Sequence, residues 1–239
     1  MPRHTVLSSG ELQLAREVSH WRLISLLFEC PSEPWRKQIS ALAKEIADSQ
    51  LKAAVQDALK EANEGVFHYA FGPGGPAPAR EATYHQTVEL GYLMSELQAY
   101  YNAFAFEPRT AEAPDHISVE ASFIAYLKMK ELYAVKCGEE DRAATASESA
   151  RHFVQDHLSI FAQPLSEHLQ NSGIAYLSKA ATALACRVGA PKGALTIFPI
   201  WKNTDGEDGF ECGVSGEMPS CTSSRSPQPV PADDRPLQK

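Results

Sequence analysis

Apolar residues recur at the three- and four-residue spacing of a helix almost from end to end of this chain, and no stretch shows the two-residue alternation of a half-buried strand. That periodicity constrains the fold more than any other feature, because each stripe must be covered by another element. Ser8 and Glu11 have capping-box spacing ahead of a dense apolar run from Leu12 to Phe28, and Pro31 stops it. The density of that run predicts a mostly buried helix.

Pro34 suits a first helical turn, after which Trp35, Ile39, Leu42 and Ile46 share a face. Leu51, Val55, Ala58, Leu59 and Ala62 repeat the pattern, with Gly65 as the expected cap. Further stripes follow at Leu90, Leu93, Met94, Leu97, Tyr101 and Phe104, and at Ile117, Ala121, Ile124 and Leu127 beside Phe123. Phe153, Leu158 and Phe161 continue until Pro164, which is expected to kink or end that helix. A last run spans Tyr176 to Ala185 before Gly189 and Pro191.

The expectation is an all-α chain: a single compact helical domain of about seven to nine helices over residues 10–190, after a flexible N-terminus at 1–9. Residues 191–201 carry GALTIFPIW, apolar enough to dock on that domain. Residues 202–239, rich in Gly, Ser, Pro and acid, read as a mostly disordered C-terminal tail. With 239 residues, 44% of them hydrophobic, the chain is long enough to bury a sizeable core.

Charge and processing signals remove several classes of function. A net charge of -8 argues against a nucleic-acid surface and against attraction to anionic lipid. The N-terminus lacks the apolar core of a secretory signal and no run is long enough to cross a bilayer, so the cytoplasm is the expected location. Cys30, Cys137, Cys186, Cys212 and Cys221 form no C-x-x-C pair and read as reduced, largely structural thiols.

Two segments interrupt the helical rhythm. The first, FHYAFGPGGPAPAREATYH from Phe67 to His85, is too rich in Gly and Pro for a helix and is expected to be a long loop, either a rigid connector or a partner-binding element. It lacks the Lys-Ser/Thr of a Walker motif, and three prolines between Pro73 and Pro78 remove N–H groups that would cradle phosphate.

The second is EAPDHISVEASFIAYL, Glu112 to Leu127, where Pro114, Asp115 and His116 open a helix. A carboxylate there accepts N–H groups of the first turn, so Asp115 is expected to be its N-cap. Neighbouring helical side chains diverge by about 100° and no G-x-S-x-G elbow exists, so an Asp–His catalytic pair does not follow. A di-metal bundle needs two facing Glu-x-x-His pairs. Glu17 and His20 are the single such pair, while His116 with Glu120 and His152 with Asp156 are isolated i, i+4 pairs. The reading is of a protein that is not an enzyme and carries no cofactor of its own.

The chain length, the FGPGGPAPAREATYH loop and PDHISVEASFIAYLKMKE together resemble the TorD/DmsD family of cytoplasmic chaperones for molybdenum enzymes, which includes NarJ-type proteins. Glu112, Pro114, Asp115, His116, Glu120 and Phe123 match its acidic-Pro-Asp-His element and following helix, and HFVQDHLSIFAQPLSEHL resembles a later region. The resemblance spans roughly residues 10–190. It implies an all-helical chaperone that binds the precursor of a molybdopterin-containing oxidoreductase large subunit, commonly through a twin-arginine leader peptide, and holds it until its cofactors are inserted. Some relatives also bind guanine nucleotide or form a domain-swapped homodimer; neither is legible in this sequence.

A cationic leader followed by an apolar segment calls for carboxylates beside an apolar groove. That groove is expected between the Phe67–Tyr84 loop and the helix after Pro114. Asp115 and Glu120 would meet guanidinium groups, His116 the peptide backbone, and Phe71, Tyr84 and Phe123 the apolar part, with Glu81 offsetting the repulsion of Arg80. Two alternatives remain: an assembly factor that binds a folded region of its client and ignores any leader, and a metal or cofactor carrier using His116, His152, His157 or Cys212 and Cys221.

Overall fold

The computed structural model describes residues 8–85 and 88–189. Among them are nine α-helices and no strand: α1 (Ser9–Leu27), α2 (Glu33–Glu45), α3 (Ser49–Glu61), α4 (Glu64–Phe71), α5 (Leu90–Ala103), α6 (Ile117–Cys137), α7 (Glu140–Phe153), α8 (Ser159–Asn171) and α9 (Ala175–Val188). The apolar segment at 191–201 and the tail lie outside the described residues, as do Cys212 and Cys221.

Local chemistry sets most of the starts. Ser8 and Glu11 form the reciprocal capping box of α1. Asp48 caps α3 by accepting the Gln50 and Leu51 N–H groups, and Asn63 caps α4 through Val66. Pro34 lies in the first turn of α2, where a missing N–H costs nothing.

Several expectations are corrected. In α1 the burial begins at Trp21; Leu12 is exposed, because only the C-terminal half of that helix is covered on all sides. Gly65 is not the cap of α3: Ala62 is, and Gly65 lies in the first turn of α4. The loop assigned to Phe67–His85 is helical at both ends, with α4 reaching Phe71 and a 3-10 turn over Glu81–Tyr84. Only the Gly-Pro stretch between them is irregular. Pro164 does not end its helix, since α8 runs through it to Asn171. The break falls earlier, in a π-turn at Val154–Leu158 that joins α7 to α8.

The core is built around α6, which packs along α1 and α7, while α9 packs against α3 and α8. Phe123 on α6 is fully buried among Tyr101, Phe104, Phe106 and Phe153, with ring centroids 4.9 Å from both Tyr101 and Phe153. Such tilted and edge-to-face contacts contribute beyond the area they bury. No helix among the described residues is long and apolar enough to cross a membrane. Of the thiols described, Cys30 is half-buried but Cys137 and Cys186 are exposed, so a structural role fails for the latter two.

Candidate functional site

The Gly-Pro loop and the start of α6 are stitched together rather than parted by a groove. Arg80 and His116 form an isolated antiparallel bridge, in which the Glu81 N–H donates to Asp115 O and the Ile117 N–H to Ala79 O, both at 2.9 Å. Glycine makes the loop's path possible: a Cβ on Gly75 would lie 2.6 Å from the Ala70 carbonyl oxygen and 2.7 Å from that of Tyr69. The Tyr84 hydroxyl then ties the loop to itself by donating to Pro78 O at 2.7 Å, and its ring stacks on Phe161.

Asp115 is not the N-cap of α6. That position belongs to His116, whose Nδ1 accepts the Ser118 N–H at 3.2 Å and lies 2.8 Å from the Ser118 hydroxyl. A ring nitrogen can accept there only while unprotonated. Burial, with the Arg80 charge adding to it, pushes the His116 pKa down to about 4 and keeps the ring neutral. Asp115 points the other way. It accepts the Ala82 N–H at 3.3 Å and the Arg80 Nε–H at 2.8 Å, and so caps the 3-10 turn of the loop. The sequence places it one residue from a helix start, but the fold gives that start to its neighbour.

Beneath this junction lies a knot of ionisable groups inside the core. Glu81 has no exposed surface and meets two imidazoles: His85 Nε2 at 2.8 Å and His157 Nδ1 at 3.1 Å, the latter from the π-turn. Burial raises the Glu81 carboxyl, but the two histidines outweigh it and hold its pKa below the ordinary value. Glu120, one turn into α6, is also at zero exposure, and neither of its oxygens reaches hydrogen-bond geometry with any described group. Burial first, then the charges of Glu81 and Asp115, push its pKa well above the ordinary carboxyl range. The fold therefore favours the protonated, neutral form of Glu120.

The expected site residues are thus brought together, but mostly inside. Asp115, Glu120, Glu81 and Phe123 are fully buried, and His116 and Tyr84 nearly so; Phe71 and Pro114 are half-buried at the lip. Arg80, expected to be offset by Glu81, is paired with Asp115 instead and leaves 46% of its side chain exposed. Sequence reasoning missed His85 and Tyr101, whose hydroxyl donates to Pro114 O at 2.8 Å, and took His157 only as a carrier ligand. His157 and Glu81 are 76 residues apart, so no local pattern links them. The Glu17–His20 pair stands 3.6 Å apart on α1. Glu81, His85 and His157 meet as hydrogen-bonding partners, and among the described residues no group of three or more His, Cys, Asp or Glu side chains is arranged to hold a metal ion.

A comparison with protein families matches residues 29–167, more than half of the chain, to the family described as the nitrate reductase delta subunit. The matched span contains the whole junction, from α4 through the loop, α6 and the π-turn. No curated protein and no solved structure matches the chain.

Proposed function

This chain belongs to the nitrate reductase delta subunit family, chaperones that assemble molybdoenzymes, and on that premise we propose that it holds the precursor of a molybdopterin-containing large subunit in the cytoplasm until its cofactors are inserted. The observation that carries the reading is the family match over residues 29–167. It fits a chain whose ionisable groups are arranged to shape a loop rather than to do chemistry.

The client contact is proposed at the junction of the Gly-Pro loop and α6. Phe71, Pro114 and the Arg80 stem form its accessible lip. Asp115, His116, Glu81, Glu120, Tyr84 and Phe123 set the lip's shape from beneath. On this reading a client presents an apolar segment to the lip, and the buried groups act by holding the loop in register.

Two versions differ in what the client brings. A twin-arginine leader would insert a guanidinium at Asp115, which requires Arg80 to leave it. A leader-independent assembly factor would leave the Arg80–Asp115 pair intact. One observation favours the second version: Asp115 and Glu81 already have cationic or imidazole partners from the chain itself, and a satisfied carboxylate gains little from a further arginine.

Anaerobic affinity purification of the tagged chain from its native cells, with mass spectrometry of what co-purifies, tests the proposal. A large molybdoenzyme subunit is the expected companion. Its absence, in cells shown to express such an enzyme, would overturn the reading.

A further inference from the structure

Between α7 and α8 the chain keeps its helical course but changes phase. The Ser159 N–H donates to Val154 O, five residues back, in place of the four-residue step of an α-helix. The four-residue step would have met Gln155 O, which accepts the Ser159 hydroxyl instead, at 2.7 Å. One surplus residue in a helix turns every later side chain by about 100° around the axis.

The changed phase delivers His157. Its buried ring stands edge-on to Tyr100 and packs on Phe153, with centroids 5.6 and 4.5 Å apart. Its Nε2 is buried without a partner among the described residues, so its polar contact is made by Nδ1, to the Glu81 carboxyl at 3.1 Å. Two imidazoles keep that carboxyl ionised, and a carboxylate only accepts, so Nδ1 carries the proton and donates it.

One turn further on, Phe161 stacks on Tyr84. The 3-10 turn is thus gripped at both its ends, Glu81 and Tyr84, by side chains four residues apart on one helical path. His85, the other partner of Glu81, belongs to the turn's own segment and moves with it. His157 comes from a separate element and can fix the turn against the core. The bridge to α6 starts from the same turn, through the Glu81 N–H to Asp115 O and the Ile117 N–H to Ala79 O.

We propose that His157 is a positioning residue for the client lip: by donating to Glu81 it fixes the register of the Gly-Pro loop on α6, and the π-turn supplies the phase that presents it. The assignment rests on the client contact proposed at the junction. It makes the π-turn and α8 a second control point for that contact, reached without touching the lip.

Amide hydrogen exchange on the full chain, compared with His157→Leu and His157→Asn, tests it. Leucine fills the site without a donor, whereas asparagine carries an amide N–H close to where Nδ1 stands. His157→Leu should speed exchange of the Glu81 and Ile117 N–H groups about tenfold while α3 keeps its rate, and His157→Asn should restore most of the protection. Unchanged rates in His157→Leu would overturn the proposal. An equal loss in both variants would also overturn it, because a packing role does not require a donor. Should a variant lose α3 protection as well, and so be globally unfolded, the unaltered chain decides: the Glu81, Ile117 and Ser159 N–H groups must open with one common free energy, and separate values refute the coupling. Capture of the large molybdoenzyme subunit from native cells adds a functional reading. Capture per folded chain should fall severalfold in His157→Leu and recover in His157→Asn, and equal capture by all three chains refutes control of the lip. If the unaltered chain captures no such subunit, the client reading fails, and the exchange rates still decide whether His157 holds the loop.

Discussion

A carboxyl with no hydrogen-bond partner and no exposed surface keeps its proton, because ionising it would place a charge where neither water nor a cation can answer it. Glu120 is in that position, and the negative charges of Glu81 and Asp115 act in the same direction. Its folded pKa is raised above the unfolded value, so its contribution to stability is complete below the ordinary carboxyl pKa and is lost as pH rises toward the folded one. Glu120→Gln removes that loss by supplying a neutral side chain of the same shape. The variant should be more stable than the parent at pH 8, with the gap closing as pH falls through the ordinary carboxyl range. Melting temperatures across that range check it. His116 has the opposite sign, since its folded pKa of about 4 lies below the unfolded 6.5. Its stabilising effect is complete above pH 6.5 and falls away as pH drops to about 4, a loss of about 3 kcal/mol from the two pKa values. Glu81, also lowered, adds to the same acid-side loss. His116→Asn, which keeps an N-cap acceptor but cannot titrate, should flatten part of the acid limb of the stability curve and leave the alkaline limb as it was.

At the scale of elements, the helices α2, α3, α6 and α9 are legible because each carries a run of apolar residues at helical spacing, although only α3 among them starts at an ordinary carboxylate cap. Legibility failed where tertiary contacts override local rules. Phe67–Phe71 reads as loop because Gly and Pro follow at once, yet Phe67 packs edge-on to Phe71, which meets Phe28 of the core, and those contacts hold the turn helical. The π-turn has no signal that the sequence displays, although it is the element that delivers His157 to Glu81. The site was legible in part: the Pro-Asp-His element marked the right place, but Asp115 was assigned to the wrong helix because one-dimensional order cannot show that a turn 33 residues upstream competes for the same carboxylate. The loop's dependence on close approach gives a prediction at this scale. Gly75→Ala forces a Cβ against two backbone carbonyls that cannot rotate away. It should cost about 2 kcal/mol or more in denaturant unfolding and speed amide exchange at Glu81 and Ile117, the two donors of the bridge. An unchanged midpoint would mean that the loop relaxes freely, and that it does not hold the junction in register.

For the molecule as a whole, the question is how a chain of net charge -8 offers a client anything but repulsion or indifference at a junction whose carboxylates are already answered. Arg80 is the component that decides. Among the described residues it is the one charged partner of Asp115, and with nearly half of its side chain exposed it can be displaced without unfolding the core. If the client inserts an arginine at Asp115, Arg80 is a competitor, and Arg80→Ala should tighten binding of an arginine-bearing leader peptide severalfold while leaving Asp115 dependent on the peptide for its charge partner. If the client instead lays an apolar segment along Phe71 and Pro114, Arg80→Ala should loosen the loop and weaken binding of any client segment, with or without arginines. The two outcomes have opposite signs, and calorimetric titration of one peptide and its arginine-to-lysine counterpart distinguishes them, since lysine cannot reproduce a bidentate contact. The satisfied state of Asp115 in the free chain favours weakening: its charge is already compensated at 2.8 Å, and a client arginine would have to break that pair before making its own.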